Sequence, residues 1–184
     1  MTADLPPSDP RPGADPGAGL PAAVASASER DAAAVLARIE ADEAAAEAAR
    51  GHYRRAGSRP IETAPELDGA LGPAESLLAW RTTAIVQQVH GGQPGHRGQQ
   101  VDGLELLNET HGAGGPLVLT SSRLMHLSRV PQTRALEEIV ELTVTGERLL
   151  VSFRSGGGWN VQVNEPRLLR VHIAAALAAV RDSR

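Results

Sequence analysis

Between Val140 and Asn164 apolar and polar residues alternate with a period of two, and glycine interrupts the pattern twice. Val140, Leu142 and Val144 alternate with Glu141, Thr143 and Thr145; Leu149, Val151 and Phe153 then alternate with Arg148, Leu150, Ser152 and Arg154. Such alternation marks strands with one buried face. Gly146-Glu147 suits a two-residue hairpin loop, with glycine supplying positive φ at the first position. Pairing across it sets Val144 opposite Leu149, Leu142 opposite Val151 and Val140 opposite Phe153. A one-residue slip would turn every apolar side chain outward, so the register is well specified. A second hairpin is expected across Ser155-Gly156-Gly157-Gly158, with Trp159, Val161 and Val163 inward and Trp159 opposite Phe153. A glycine run can cradle phosphate when a helix begins behind it, but here a strand follows.

The remaining strand expectations are Thr83–His90, Val101–Leu107, Pro116–Thr120 and Arg123–Leu127, with Ser121-Ser122 as the turn between the last two. Leu136 and Ile139, three apart, suggest a bend before the long strand that begins near Glu138. The expected total is seven strands. Pro166 suits the first turn of a helix, where its missing N–H costs nothing. Leu169, Ile173, Ala176, Leu177 and Val180 line one side of that helix, and Arg167, Arg170, Arg181 and Asp182 fill the rest.

Upstream the composition changes. Residues 1–27 hold six of the 13 prolines and almost no large apolar side chain. Such a segment buries too little surface to offset its ordering entropy, so it reads as a disordered Pro/Ala/Gly-rich arm. Residues 28–57 turn to Ala, Glu and Arg and read as a helix, with Ser28 and Asp31 resembling a capping box and Gly57 ending it. Val35, Leu36, Ile39, Ala46 and Tyr53 form a thin apolar stripe, and Glu43 and Arg50 interrupt it too often for a strong coiled coil. Residues 58–70 read as a linker and 71–184 as the β domain. Residues 1–69 carry 7 Arg against 12 acids, whereas 70–184 carry 11 Arg against 10.

The strings GPLVLTSSRLMHLS, LEEIVELTVTGERLLVSFRSGGG and PRLLRVHIAAAL, with seven strands and a closing helix, resemble bacterial pleckstrin-homology-like and GRAM-like domains. The resemblance spans about residues 71–181. It implies a mainly β fold: a seven-stranded half-open barrel capped by the C-terminal helix. It also implies a docking module for lipids, peptides or proteins in place of an enzyme. Phosphoinositide-binding members share a basic Lys/Arg motif over the first two strands. This chain departs from that motif, because all 18 of its basic residues are Arg and its first long loop holds only Arg97.

Chemistry is sparse. Without Cys there is no disulfide or thiolate metal site, and without Lys there is no P-loop. No GxSxG and no HExxH occurs, so neither catalysis nor a cofactor is expected. His90, His96 and His111 fall in glycine-rich loops, which leaves a small-ligand or metal site as one alternative. His126 and His172 suit the edge of the core, with local hydrogen bonds. The candidate recognition residues are Arg81, Arg97, Arg123 and Arg129, with Arg134 beside them. The expected role is cytoplasmic docking of a protein or peptide, possible near a membrane complex; the other alternative is peripheral binding to an anionic membrane through loop arginines. A net charge of −4 argues against nucleic acid, which wants clustered basic charge. The first 27 residues lack the cationic start and apolar core of a secretory signal. The longest apolar stretch, Ile173–Val180, is far below the ~20 residues of a spanning helix.

Overall fold

The computed structural model describes residues 22–57, 67, 69–89 and 112–183. The expected strand Val101–Leu107, most of the arm 1–27, and His90, Arg97, His96 and His111 lie outside the described residues. The chain divides into two compact units, Met1–Val35 and Leu36–Arg184. Helix α1 (Ala22–Ala56) contributes to both. It starts earlier than the expected residue 28, so Ser28 sits inside the helix and caps nothing. Gly57 ends it in the left-handed region, φ 67°, with its N–H donating to the Tyr53 carbonyl at 3.1 Å.

The second unit holds seven strands: β1 (Leu77–Val89), β2 (Ala113–Thr120), β3 (Arg123–His126), β4 (Gln132–Ala135), β5 (Ile139–Thr145), β6 (Arg148–Phe153) and β7 (Gly158–Val163). They form one antiparallel sheet in the order β4-β3-β2-β1-β7-β6-β5, which is not closed: β4 and β5 are its edges. A single 3-10 turn, Leu136–Glu138, connects those edges, and helix α2 (Pro166–Asp182) follows β7. The fold is mainly β with a C-terminal helix, and it is compatible with the pleckstrin-homology-like plan.

Adjacent strands meet in the expected register at the first hairpin, where Val144 faces Leu149 and Leu142 faces Val151. Gly146 takes φ 59°, as a loop opened by a left-handed residue requires. Beyond Leu142 the expectation fails. A bulge between Ile139 and Glu141 places Ile139, not Val140, opposite Phe153, and Val140 is left 55% exposed. The extra residue re-aims the side chain that follows it. The second hairpin also differs by register: Trp159 faces Val151, and Gly158 faces Ser152. The turn is made tighter by the Phe153 N–H donating to the Gly157 carbonyl at 3.1 Å. Trp159 still meets Phe153 diagonally, edge to face, with ring centroids 5.4 Å apart.

β4 is a strand that the sequence pattern does not single out, whereas the strand expected at Val101–Leu107 lies outside the described residues. Its sequence QTRA has no apolar alternation, because it is a short edge with half its side chains in solvent.

Two apolar clusters lie on opposite sides of β1–β3. The larger joins Leu78, Val86, Leu117, Leu119 and Leu124 to Leu149, Val151, Trp159 and Val161, and α2 inserts Leu169, Ile173 and Ala176 into it. Leu177 and Val180 pack at its margin, so the helical stripe buries as expected. The smaller cluster contains Leu77, Val118, Met125 and Leu67. Leu67, inside the expected linker, is therefore a core residue at 2% exposure. Among the described residues no helix is long and apolar enough to cross a membrane.

Candidate docking groove

α2 begins without help from its own neighbourhood. Pro166 occupies the first turn, and Glu165 at the N-cap position sits in the left-handed region at φ 58° with no side-chain cap. The cap comes instead from α1. Asp42 is 4% exposed; its Oδ2 accepts the Arg167 N–H at 2.9 Å and its Oδ1 the Leu168 N–H at 3.0 Å. A carboxylate there satisfies two orphan donors and complements the helix macrodipole. The Arg167 guanidinium closes the arrangement, 3.5 Å from Asp42 and 3.3 Å from Glu43.

A second clasp joins the same helices further along, where Tyr53 near the C-terminal end of α1 meets His172 within α2. The Tyr53 hydroxyl and His172 Nδ1 are hydrogen-bonded, with the two rings edge to face at 5.7 Å. Burial, and then the nearby Arg81 charge, depress the His172 pKa to about 4. The ring is therefore neutral near pH 7 and able to accept. Burial raises the Tyr53 pKa, which keeps the hydroxyl protonated. Arg81 itself pairs with Glu165 at 3.2 Å.

Between the two clasped elements and the sheet runs a groove of about 940 Å³. Its floor is Thr83, Ala84, Gly114, Gly115 and Val163; its walls are Arg38, Ile39 and Asp42 on one side and Glu147, Asn164 and Glu165 on the other. A Cβ on Gly114 would meet nothing within 4 Å, so this part of the floor is open space. Arg38 and Glu147 bridge the mouth at 2.9 Å, both exposed. The groove offers a hydroxyl, two amides (Gln162 and Asn164) and paired charges. Among the described residues that line it there is no histidine.

The sequence-nominated arginines occupy different settings. Both carboxylate oxygens of Glu75 hold one edge of Arg123, at 2.7 Å from Nε and 2.6 Å from Nη2, and its Nη2 also reaches the Ala70 carbonyl at 3.1 Å. Glu75 accepts further bonds from Ser122 Oγ, Thr120 Oγ1 and the Gly72 N–H. The Arg123 contact above all, against the cost of burial, holds its pKa down at about 2. This knot fastens residues 70–76 to the β2–β3 turn. Arg81 belongs to the ion pair described above. Arg129 is exposed in the β3–β4 turn beside Val130, which is 70% exposed. Arg134 lies 5.2 Å over the Phe153 ring and 3.7 Å from Glu138.

His126 departs from its expected hydrogen bonds. It is fully buried, and neither ring nitrogen meets a partner at hydrogen-bonding geometry. Burial lowers its pKa, and the Ala84 backbone opposes the shift from outside good hydrogen-bonding geometry. Among the described residues no three side chains of metal-ligating type come together. Asp42, Tyr53 and His172 were not singled out in the sequence as a connected set, and no motif marks partners more than 100 residues apart. The signal that could have found Asp42 is an acid falling on the helix face that carries Ile39, Ala46 and Tyr53. No family model matches the chain, and no curated protein matches it.

Proposed function

We propose that this chain is a non-catalytic docking module of pleckstrin-homology-like type that takes a protein or peptide segment into the groove between α1 and the sheet, in the cytoplasm. The observation that carries the reading is the groove itself: about 940 Å³, with small residues on the floor and hydrogen-bonding groups in the walls. Small floor residues admit a peptide backbone closely, and flanking amides and charges give it direction.

The test is affinity capture with the full chain and with Gly114→Trp, which fills the groove from a position where a side chain meets open space. A partner retained by the wild type and by Arg129→Gln, and lost with Gly114→Trp, is the expected result. Recovery of no specific partner, or equal recovery with Gly114→Trp, overturns the proposal.

A second reading has one observation in its favour. Arg129 beside the exposed Val130 forms a basic and apolar tip at the β3–β4 turn, a pairing suited to an anionic membrane surface. Co-sedimentation with vesicles tests it: binding that does not rise with acidic lipid at low salt removes it.

A further inference from the structure

A second hollow, separate from the groove, lies between the C-terminal turns of α1 and the outer face of α2. It has a volume of about 390 Å³, and Arg50, Tyr53, Arg54 and Arg170 line it together with Val171 and two alanines. That volume is within the range of small-ligand sites, roughly 300–1,000 Å³. Three of its lining side chains are guanidinium groups, and none is a carboxylate.

The arginines are not equivalent. Glu47 spans two of them, 2.7 Å from Arg50 and 3.3 Å from Arg54, and Glu43 approaches Arg50 at 3.3 Å. These acids lie outside the lining and orient the two guanidinium groups while Glu43 is also shared with Arg167. Arg170 has no carboxylate partner among the described residues. It projects from α2 one turn away from Ala174, whose small side chain leaves the hollow open. Tyr53, fixed by its bond to His172, makes the end wall. One guanidinium without an acid partner among the described residues and two held by acids line the same hollow, a set of groups suited to multiply charged anions. The planar forks match phosphate oxygens two at a time.

We propose that the hollow bounded by Arg50, Arg54 and Arg170 binds a compact phosphate-bearing anion. Ala174 and Ala175 provide no polar contact, so recognition rests on the charged oxygens and leaves the remainder of the ligand free to extend into solvent.

The experiment is calorimetric titration of inorganic pyrophosphate into the full chain at low salt, with inorganic phosphate and citrate as parallel probes. Expected are saturable one-to-one binding of pyrophosphate, weaker binding of phosphate, and weaker binding of citrate. Arg170→Gln should weaken pyrophosphate binding about tenfold, the worth of one charge-assisted contact. Arg170→Lys should lose less, and Arg129→Gln should bind as the wild type does. Arg170 is exposed and has no carboxylate partner among the described residues, so Arg170→Gln keeps the wild-type circular dichroism spectrum and thermal midpoint. Unsaturable binding, an unaltered affinity in Arg170→Gln, or an equal loss in Arg129→Gln overturns the proposal. Citrate binding as tightly as pyrophosphate overturns the phosphate assignment.

Discussion

Replacing Asp42 by Ala removes the cap of a helix 125 residues further along the chain. Two N–H groups, of Arg167 and Leu168, lose acceptors at 2.9 and 3.0 Å, and the Arg167 guanidinium loses one of its two acids. Loss of an ordinary N-cap costs about 0.5–2 kcal/mol, and a hydrogen bond to a charged group contributes roughly 1.5–3 kcal/mol. Those contributions do not add, because the adjoining groove admits water to the freed donors. The expected loss is about 2–3 kcal/mol for Asp42→Ala and about 1 kcal/mol for Asp42→Asn, which retains one acceptor oxygen. At roughly 2–4 °C per kcal/mol for a chain of this size, thermal unfolding followed by circular dichroism resolves the two variants. Amide hydrogen exchange adds the local readout: Arg167 and Leu168 should lose protection before the interior of α2 does. A change below about 0.5 kcal/mol in Asp42→Ala, with unaltered exchange at both amides, would refute the capping role.

Acid should weaken the fold in two stages. His172 titrates near 6.5 when unfolded and about 4 when folded, so the unfolded chain binds the proton first and stability falls from pH 6.5 towards 4. Glu75, at about 2 folded against 4.5 unfolded, adds a further fall below pH 4.5. Unfolding midpoints measured across that range check both stages; His172→Gln should flatten the upper one, and an unchanged upper slope contradicts the assignment. Ile173→Asp buries a charge at a fully enclosed position of the core and should cost more than about 4 kcal/mol, read as loss of the cooperative thermal transition.

The readable parts of this chain are those whose signal is local. The Gly146-Glu147 hairpin announces itself through the turn residues and the alternation on either side, and α2 through its stripe at Leu169, Ile173 and Ala176. The bulge that displaces Val140 has no such signature, because an extra residue in one strand leaves the apolar count unchanged. β4 was missed since an edge strand of four residues needs no apolar face. The polar fastenings are less visible still. Glu75 with Arg123 and Tyr53 with His172 join residues 48 and 119 apart, and nothing periodic connects them. Arg123, nominated for recognition on charge alone, is committed to Glu75. Only its surroundings distinguish it from an arginine such as Arg170, whose charge is left over.

A sheet that stays open keeps two rows of backbone donors and acceptors available to other chains, and such rows seed fibrils when they are long and flat. Here the β5 row is broken near its start, where the ladder slips between Ile139 and Glu141. The kink spoils the even spacing that a foreign strand would have to match, and Glu141 beside it adds repulsion between stacked copies. On the opposite margin β4 is only four residues long and carries Arg134. The slip that turns Val140 to solvent thus gives this margin an uneven ladder, and deleting one residue there would restore an even one.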